Sequence, residues 1–210
     1  MSKASVTTYS LLGLLAVQPW TGYELTRQIQ RSLRFAWPSS EGHLYREQKR
    51  LVELGWATVE RESVGRRLRN RYSITPDGRD ALAAWLATRP GEPAFQVEGI
   101  LRTFFGDFGT VEDLAATMRA TSDDARSMLD EMLGFVDEYL DDGGPFPGRL
   151  HLVAIAIEII TALLAEIEGH FENTAAEIET WPSTTELGLT PATRTRLERI
   201  RAAHGHSQDL

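Results

Sequence analysis

SSEGHLYREQKRLVELGWATVERESVGRRLRNRYSITP, residues 39–76, places two different periodicities in series, and their order decides the fold. In the first half, Ser39 and Ser40 follow Pro38 and can cap a helix start, while Leu44, Leu51 and Leu54 recur at roughly helical spacing until Gly55 ends the run. His43, Arg46, Glu47 and Arg50 share another side of that helix, because residues three, four and seven apart lie on one face. His43, Arg46 and Arg50 can each donate to a base edge or a phosphate. After Gly55, Trp56, Thr58, Glu60 and Glu62 alternate with Ala57, Val59, Arg61 and Ser63, and Tyr72 and Ile74 mark a return strand. Between the strands Gly65 allows a turn, and Arg66, Arg67, Arg69 and Arg71 make the tip basic enough to lie along phosphates or in a minor groove. An isolated charged tip would be read as a solvated hairpin end; behind a basic helix face it is better read as a DNA contact. A basic helix followed by a basic hairpin is the reading half of a winged helix-turn-helix.

Upstream, Ser5 can start a helix with Leu11, Leu12 and Leu15 inward, stopping near Gln18 and Pro19. Thr21 and Glu24 have capping-box spacing for a second helix that buries Leu25, Ile29 and Leu33. Tyr23, Trp37 and Trp56 are expected to be core aromatics. Downstream, Thr75 is an N-cap and Pro76 a first helical residue for a fourth helix with Leu82, Trp85 and Leu86 inward. PGEP at residues 90–93 breaks it, so residues 1–90 form the expected DNA-binding domain and residues 94–210 a second, helical one.

In that second part, residues 95–108 predict a short helix carrying Ile100, Leu101, Phe104 and Phe105. Thr110 and Asp113 open a helix of about thirty residues, with Leu114, Met118, Thr121, Ala125, Met128, Met132, Phe135 and Tyr139 along a seam of alternating three- and four-residue steps. DDGGPFPG at residues 141–148 turns the chain. Residues 150–167 are apolar nearly all round apart from His151, Glu158, Thr161 and Glu166. Four polar positions and sparse basic flanks argue against a membrane span, and a helix apolar on all sides needs cover from others. A second subunit is the simplest cover, which predicts a homodimerising bundle and no membrane partner. A last helix, with several Arg, follows Thr190-Pro191.

The charge of −8 is unevenly divided: residues 1–90 hold 14 Lys or Arg against 8 Asp or Glu, and residues 91–210 hold 8 against 22. A basic head on an acidic body is the distribution expected when one end meets DNA. The chain has no Cys, which excludes disulfides, thiolate metal sites and cysteine nucleophiles. No signal peptide is recognisable, and a cytoplasmic protein is expected. G-x-S-x-G, a phosphate-binding Gly loop, H-E-x-x-H and a Cys/His ligand set are all missing from the sequence, so no enzyme, cofactor or metal is expected.

Several motifs in the right order carry a family resemblance. GHLYREQKRLVELGWATVE, the Arg-rich tip, YSITPDGRDALAAWL and, upstream, LLGLLAVQPWTGYEL resemble the PadR family of bacterial transcription regulators over residues 6–85. The resemblance implies a dimeric, ligand- or stress-responsive winged-helix repressor. It carries over to Tyr45, Lys49 and Arg50 on the recognition helix and to Arg66, Arg67 and Arg69 on the wing, whereas His43 and Arg46 depart from the commoner Gln and Pro.

The expected molecule is thus mostly α with a small β-hairpin wing, an N-terminal winged helix-turn-helix followed by a helical dimerisation domain. Its expected partners are double-stranded DNA, a second copy of itself and a small hydrophobic effector. Candidate DNA contacts are Ser40, His43, Tyr45, Arg46, Lys49, Arg50, Arg66, Arg67 and Arg69. Trp85, Phe104, Phe105 and Met132 are candidates for an effector pocket. The competing reading is a winged helix that joins a protein assembly without specific DNA binding.

Overall fold

A computed structural model describes residues 4–64, 67–185 and 188–205, in two compact units, Met1–Ala94 and Phe95–Leu210. The first unit is built around α1 (Val6–Val17), whose Leu11, Leu12, Leu14 and Leu15 are all buried. Ser5 starts it with a reciprocal capping box to Thr8. Thr21 and Glu24 form a second capping box that opens α2 (Gly22–Gln28), which continues through a wider π turn, Ile29–Leu33. Ser40 then caps α3 (Glu41–Glu53), with Leu44 and Leu51 fully buried.

The hairpin follows as β2 (Ala57–Val64) and β3 (Arg67–Ile74), paired antiparallel from Ala57↔Ile74 to Val64↔Arg67. A two-residue strand, β1 (Trp20–Thr21), adds to the free side of β3, giving the order β1-β3-β2. No periodicity can reveal so short a strand; the extended backbone that Thr21 needs as an N-cap also leaves Trp20 and Thr21 shaped for the ladder. Thr75 and Pro76 begin α4 (Pro76–Leu86). Gly78 lets α4 lie on the root of β2, because a Cβ there would collide with the Trp56 carbonyl oxygen. Tyr9 of α1 stacks on Trp85 of α4 with ring centroids 4.8 Å apart and touches Trp56 at 5.6 Å.

Two expected core aromatics are at the surface. Tyr23 is 65% exposed, since the first turn of α2 faces out, and Trp37 is 45% exposed, held by an Nε1 hydrogen bond to Thr7 Oγ1 at 3.1 Å rather than by burial.

In the second unit the expected helix over residues 95–108 is broken into α5 (Glu98–Thr103) and a 3-10 turn at Gly106–Phe108. Thr110 and Asp113 cap α6 (Val111–Asp142), which runs antiparallel to α7 (Leu150–Ile178). Leu114, Ala115 and Met118 near the start of α6 pack with Ala175 and Ile178 near the end of α7. Midway, Ser122 Oγ donates to the Glu168 carbonyl at 3.0 Å and Arg126 Nε meets the Glu168 carboxylate at 2.8 Å. Of the apolar residues on α7, Leu164 is buried, but Leu152, Ile155, Ile159 and Leu163 are exposed. By length and composition alone this helix could cross a membrane. The chain is closed by α8 (Pro191–His204), which carries four Arg and exposes Leu197 and Ile200.

Candidate nucleic-acid interface

The first turn of α1 is the frame on which α3 is mounted. Thr7 Oγ1 takes the Trp37 indole and lies 3.4 Å from the Ser39 hydroxyl, so the approach to α3 is tied to α1 before α3 begins. Glu47 completes the joint. The sequence placed it on the outward side with Arg46, but it is also three residues after Leu44 and four before Leu51. Its carboxylate turns inward, accepting from Ser5 Oγ at 3.1 Å and from Thr8 Oγ1. There it also faces the positive end of the α1 dipole.

Gln48 makes a second joint that sequence reasoning missed. It is 1% exposed, and its Nε2 donates to the Gly22 carbonyl at 2.9 Å and to Thr26 Oγ1 at 3.0 Å, clamping α3 to α2. Its spacing from Leu44 and Leu51 was the available signal. Gln48→Ala should cost the first unit about 1–3 kcal/mol, since it removes a satisfied buried amide and leaves a void, and chemical denaturation would measure it.

With those residues engaged inside, the outer face of α3 is short. Ser40 Oγ is occupied as the cap, accepting from the His43 backbone N–H at 3.4 Å. His43 is half-buried, Tyr45 is 41% exposed, and Arg46 and Lys49 are exposed. Arg50 pairs with Glu53 at 3.4 Å. Arg46, which could have paired with Glu47 or Glu53, has no ion pair among the described residues, because Glu47 is held by Ser5 and Thr8 and Glu53 by Arg50.

On the wing the arginines divide. Arg71 Nε donates to the Glu62 carboxylate at 2.6 Å and Nη1 to the Pro19 carbonyl at 3.3 Å, so it fastens β3 to β2 and to the chain entering β1. The Glu62 hydrogen bond raises its pKa above the ordinary guanidinium value. Glu24 is held below the usual carboxylate range, mainly by the Thr21 backbone N–H, with Arg71 and Arg69 adding attraction. Arg69 is exposed opposite Glu62 in the ladder. Arg66 lies outside the described residues, and of Arg67 only the backbone is described, at the first position of β3.

The four residues expected in an effector pocket are each placed by their own unit. Trp85 belongs to the ring stack of the first unit. In the second unit Met132 is 2% exposed in the helix seam, Phe105 is 60% exposed, and Phe104 lines a cavity.

The sequence model of the Transcriptional regulator PadR-like family matches residues 11–84, from α1 to the third turn of α4. Over these residues the chain is similar to the PadR-like family. The negative transcriptional regulator PadR of Bacillus subtilis is 28% identical over 102 residues, 48% of this chain and 56% of that protein. The chain spans about half the length of the curated relatives it matches. Among solved structures, smu.1604c of Streptococcus mutans superposes with a TM-score of 0.71 at 23% identity, covering 80% of this chain and 98% of that one. Bacillus subtilis PadR, solved with operator DNA, gives a TM-score of 0.68 at 21% identity over 83% of this chain and 99% of its own; solved with p-coumaric acid it gives 0.57 at 19%, over 86% and 99%. These likenesses extend the PadR-like fold beyond the matched residues into the helical second unit.

Proposed function

We propose that this PadR-like chain is a cytoplasmic, sequence-specific transcriptional repressor that binds an inverted-repeat operator as a homodimer and is released by a small-molecule effector. The observation that carries the reading is the set of exposed cations on the helix and wing, Arg46, Lys49 and Arg69, beside which Glu47 and Glu62 are turned to internal partners. Residues 1–90 then serve as the DNA-binding domain and residues 94–210 as the dimerising, effector-responsive one. The acidic excess of the second part keeps it off DNA. Leu152, Ile155, Ile159 and Leu163, at steps of three and four along α7, give a partner copy an apolar strip to cover. That its Bacillus subtilis relative has been solved both with operator DNA and with p-coumaric acid supports the same two kinds of partner here.

Within the interface, Arg46 lies in the N-terminal half of α3, the part that enters the major groove, and reads a guanine through two parallel hydrogen bonds. Arg50, a turn further along, meets phosphate, and Lys49 and Arg69 set the register. Arg46→Ala should lose about 1–3 kcal/mol of discrimination at one base pair in each half-site, symmetrically, because both subunits read with the same residue. Selecting preferred sites for wild type and variant tests it; an identical preference would remove Arg46 from base reading. The competing assembly-module reading requires that no double-stranded sequence be preferred at all, which the same selection detects.

A further inference from the structure

Every residue of α8 from Arg194 to Ala203 is exposed, and Arg196 is tied to Glu177 of α7. A helix of 14 residues with so little tertiary cover is marginal in water, so its open face calls for a partner surface. Leu197 and Ile200 form an apolar ridge on that face, with Arg194 and Arg201 along one edge and Arg196 on the other, as helical spacing dictates. Arg194 and Arg201 have no ion pair among the described residues. A run of phosphates would satisfy these arginines but leave Leu197 and Ile200 wet.

The matching surface is on α6. Leu133 and Leu140 are 48% and 79% exposed, two turns apart, and Asp130, Asp137 and Asp141 lie exposed along their edge. Asp137, Asp141 and Asp142 also crowd the C-terminal end of α6, whose last turn holds no basic residue. Carboxylates at the negative end of a helix dipole are destabilising, and a cation laid against them offsets that. An apolar strip edged with acids is the complement of an apolar ridge edged with arginines.

The two surfaces of one chain cannot meet. Arg196 is tied beside Glu177, at the level where Ala175 and Ile178 of α7 pack with Leu114 and Met118 of α6. At 1.5 Å per residue Leu133 lies about 22 Å and Leu140 about 33 Å further along α6 from Met118, whereas Ile200 is only about 6 Å along α8 from Arg196. Two α6–α7 hairpins set antiparallel across a two-fold axis, by contrast, bring the free end of each towards the base of the other.

We propose that α8 is a clasp between two copies of this chain: its ridge of Leu197 and Ile200 docks on Leu133 and Leu140 of the second copy, where Arg194 and Arg201 pair with Asp130, Asp137 and Asp141. The inference rests on the dimer reading above and assigns α8 and the acidic end of α6 to that interface.

Sedimentation equilibrium of the full chain at low salt tests it. Arg194→Glu with Arg201→Glu, and separately Asp130→Arg with Asp137→Arg, should each weaken the dimer at least about tenfold, because like charges then face each other. All four positions are exposed, so both variants keep the fold. Mixed in equal amounts, the two variants should form a heterodimer as tight as wild type, since reversed α8 then meets reversed α6 at one clasp and native meets native at the other. Pairing within a single chain gives no such rescue. Unchanged dimers in either variant, or no recovery on mixing, would overturn the clasp and leave the dimer reading standing; a wild-type chain that stays monomeric at micromolar concentration would overturn both.

Discussion

Raising salt from 50 to 200 mM should weaken operator binding by about 10³- to 10⁵-fold, the loss expected when six to ten phosphates are neutralised. Arg46 aside, which reads a base, each head offers Lys49, Arg50 and Arg69 on the helix and wing together with the tip arginines Arg66 and Arg67. Two heads supply contacts in that range. The logarithm of affinity should fall linearly with the logarithm of salt at about −0.9 per phosphate. Replacing Arg66 and Arg67 together with Ala should flatten the slope and weaken all sequences alike, since phosphate contacts carry no base information. Filter binding or fluorescence anisotropy over a salt series decides it, and an unchanged slope would take the wing tip out of the interface.

A chain ending at Pro90 should be monomeric and should bind the operator about 10²- to 10⁴-fold more weakly, the advantage typical of joining two weak heads. The head keeps its own core in Leu11, Leu12, Leu15, Leu25, Leu44 and Leu51, so it is expected to stay folded. What it lacks is the apolar strip of α7 that the proposed partner copy covers. Full-length dimers should span half-sites about 34–36 Å apart, one helical turn, or a multiple of that. Sedimentation of both chains is the measurement; a full-length monomer at micromolar concentration would defeat the bundle argument.

Helix starts were the most legible part of this fold. Ser5, Thr21, Ser40, Thr75, Thr110 and Thr190 were each readable as N-caps, and each accepts a backbone N–H from its own first turn. Capping is local chemistry, fixed within four residues, so sequence carries it whole. The destinations of side chains were harder. A helical wheel groups Glu47 equally well with Arg46 and with Leu44, and only the distant hydroxyls of Ser5 and Thr8 decide that it turns inward. The same limit applied to the expected effector residues. Aromatic and sulfur side chains announce apolar surface without saying whether it packs, as Met132 does, stacks, as Trp85 does, or opens a cavity, as Phe104 does. Arg196, which lines the same cavity, lies on a helix outside the family resemblance, where no motif pointed to it.

The ring contacts of Tyr9, stacked on Trp85 and tilted against Trp56, have an optical consequence. These rings come from α1, from the residue that begins the wing and from α4, so their mutual orientation is set by how the wing root is seated on the rest of the head. Rings this close couple their electronic transitions, which makes the near-ultraviolet circular dichroism of the head a native gauge of wing seating. Because Trp181 and Tyr139 lie in the other unit, a chain ending at Pro90 removes their signal, and a Tyr9→Leu variant separates the ring contacts from Trp20 and Trp37. The docking of the wing root can thus be followed in solution without attaching a dye to the proposed DNA-facing surface.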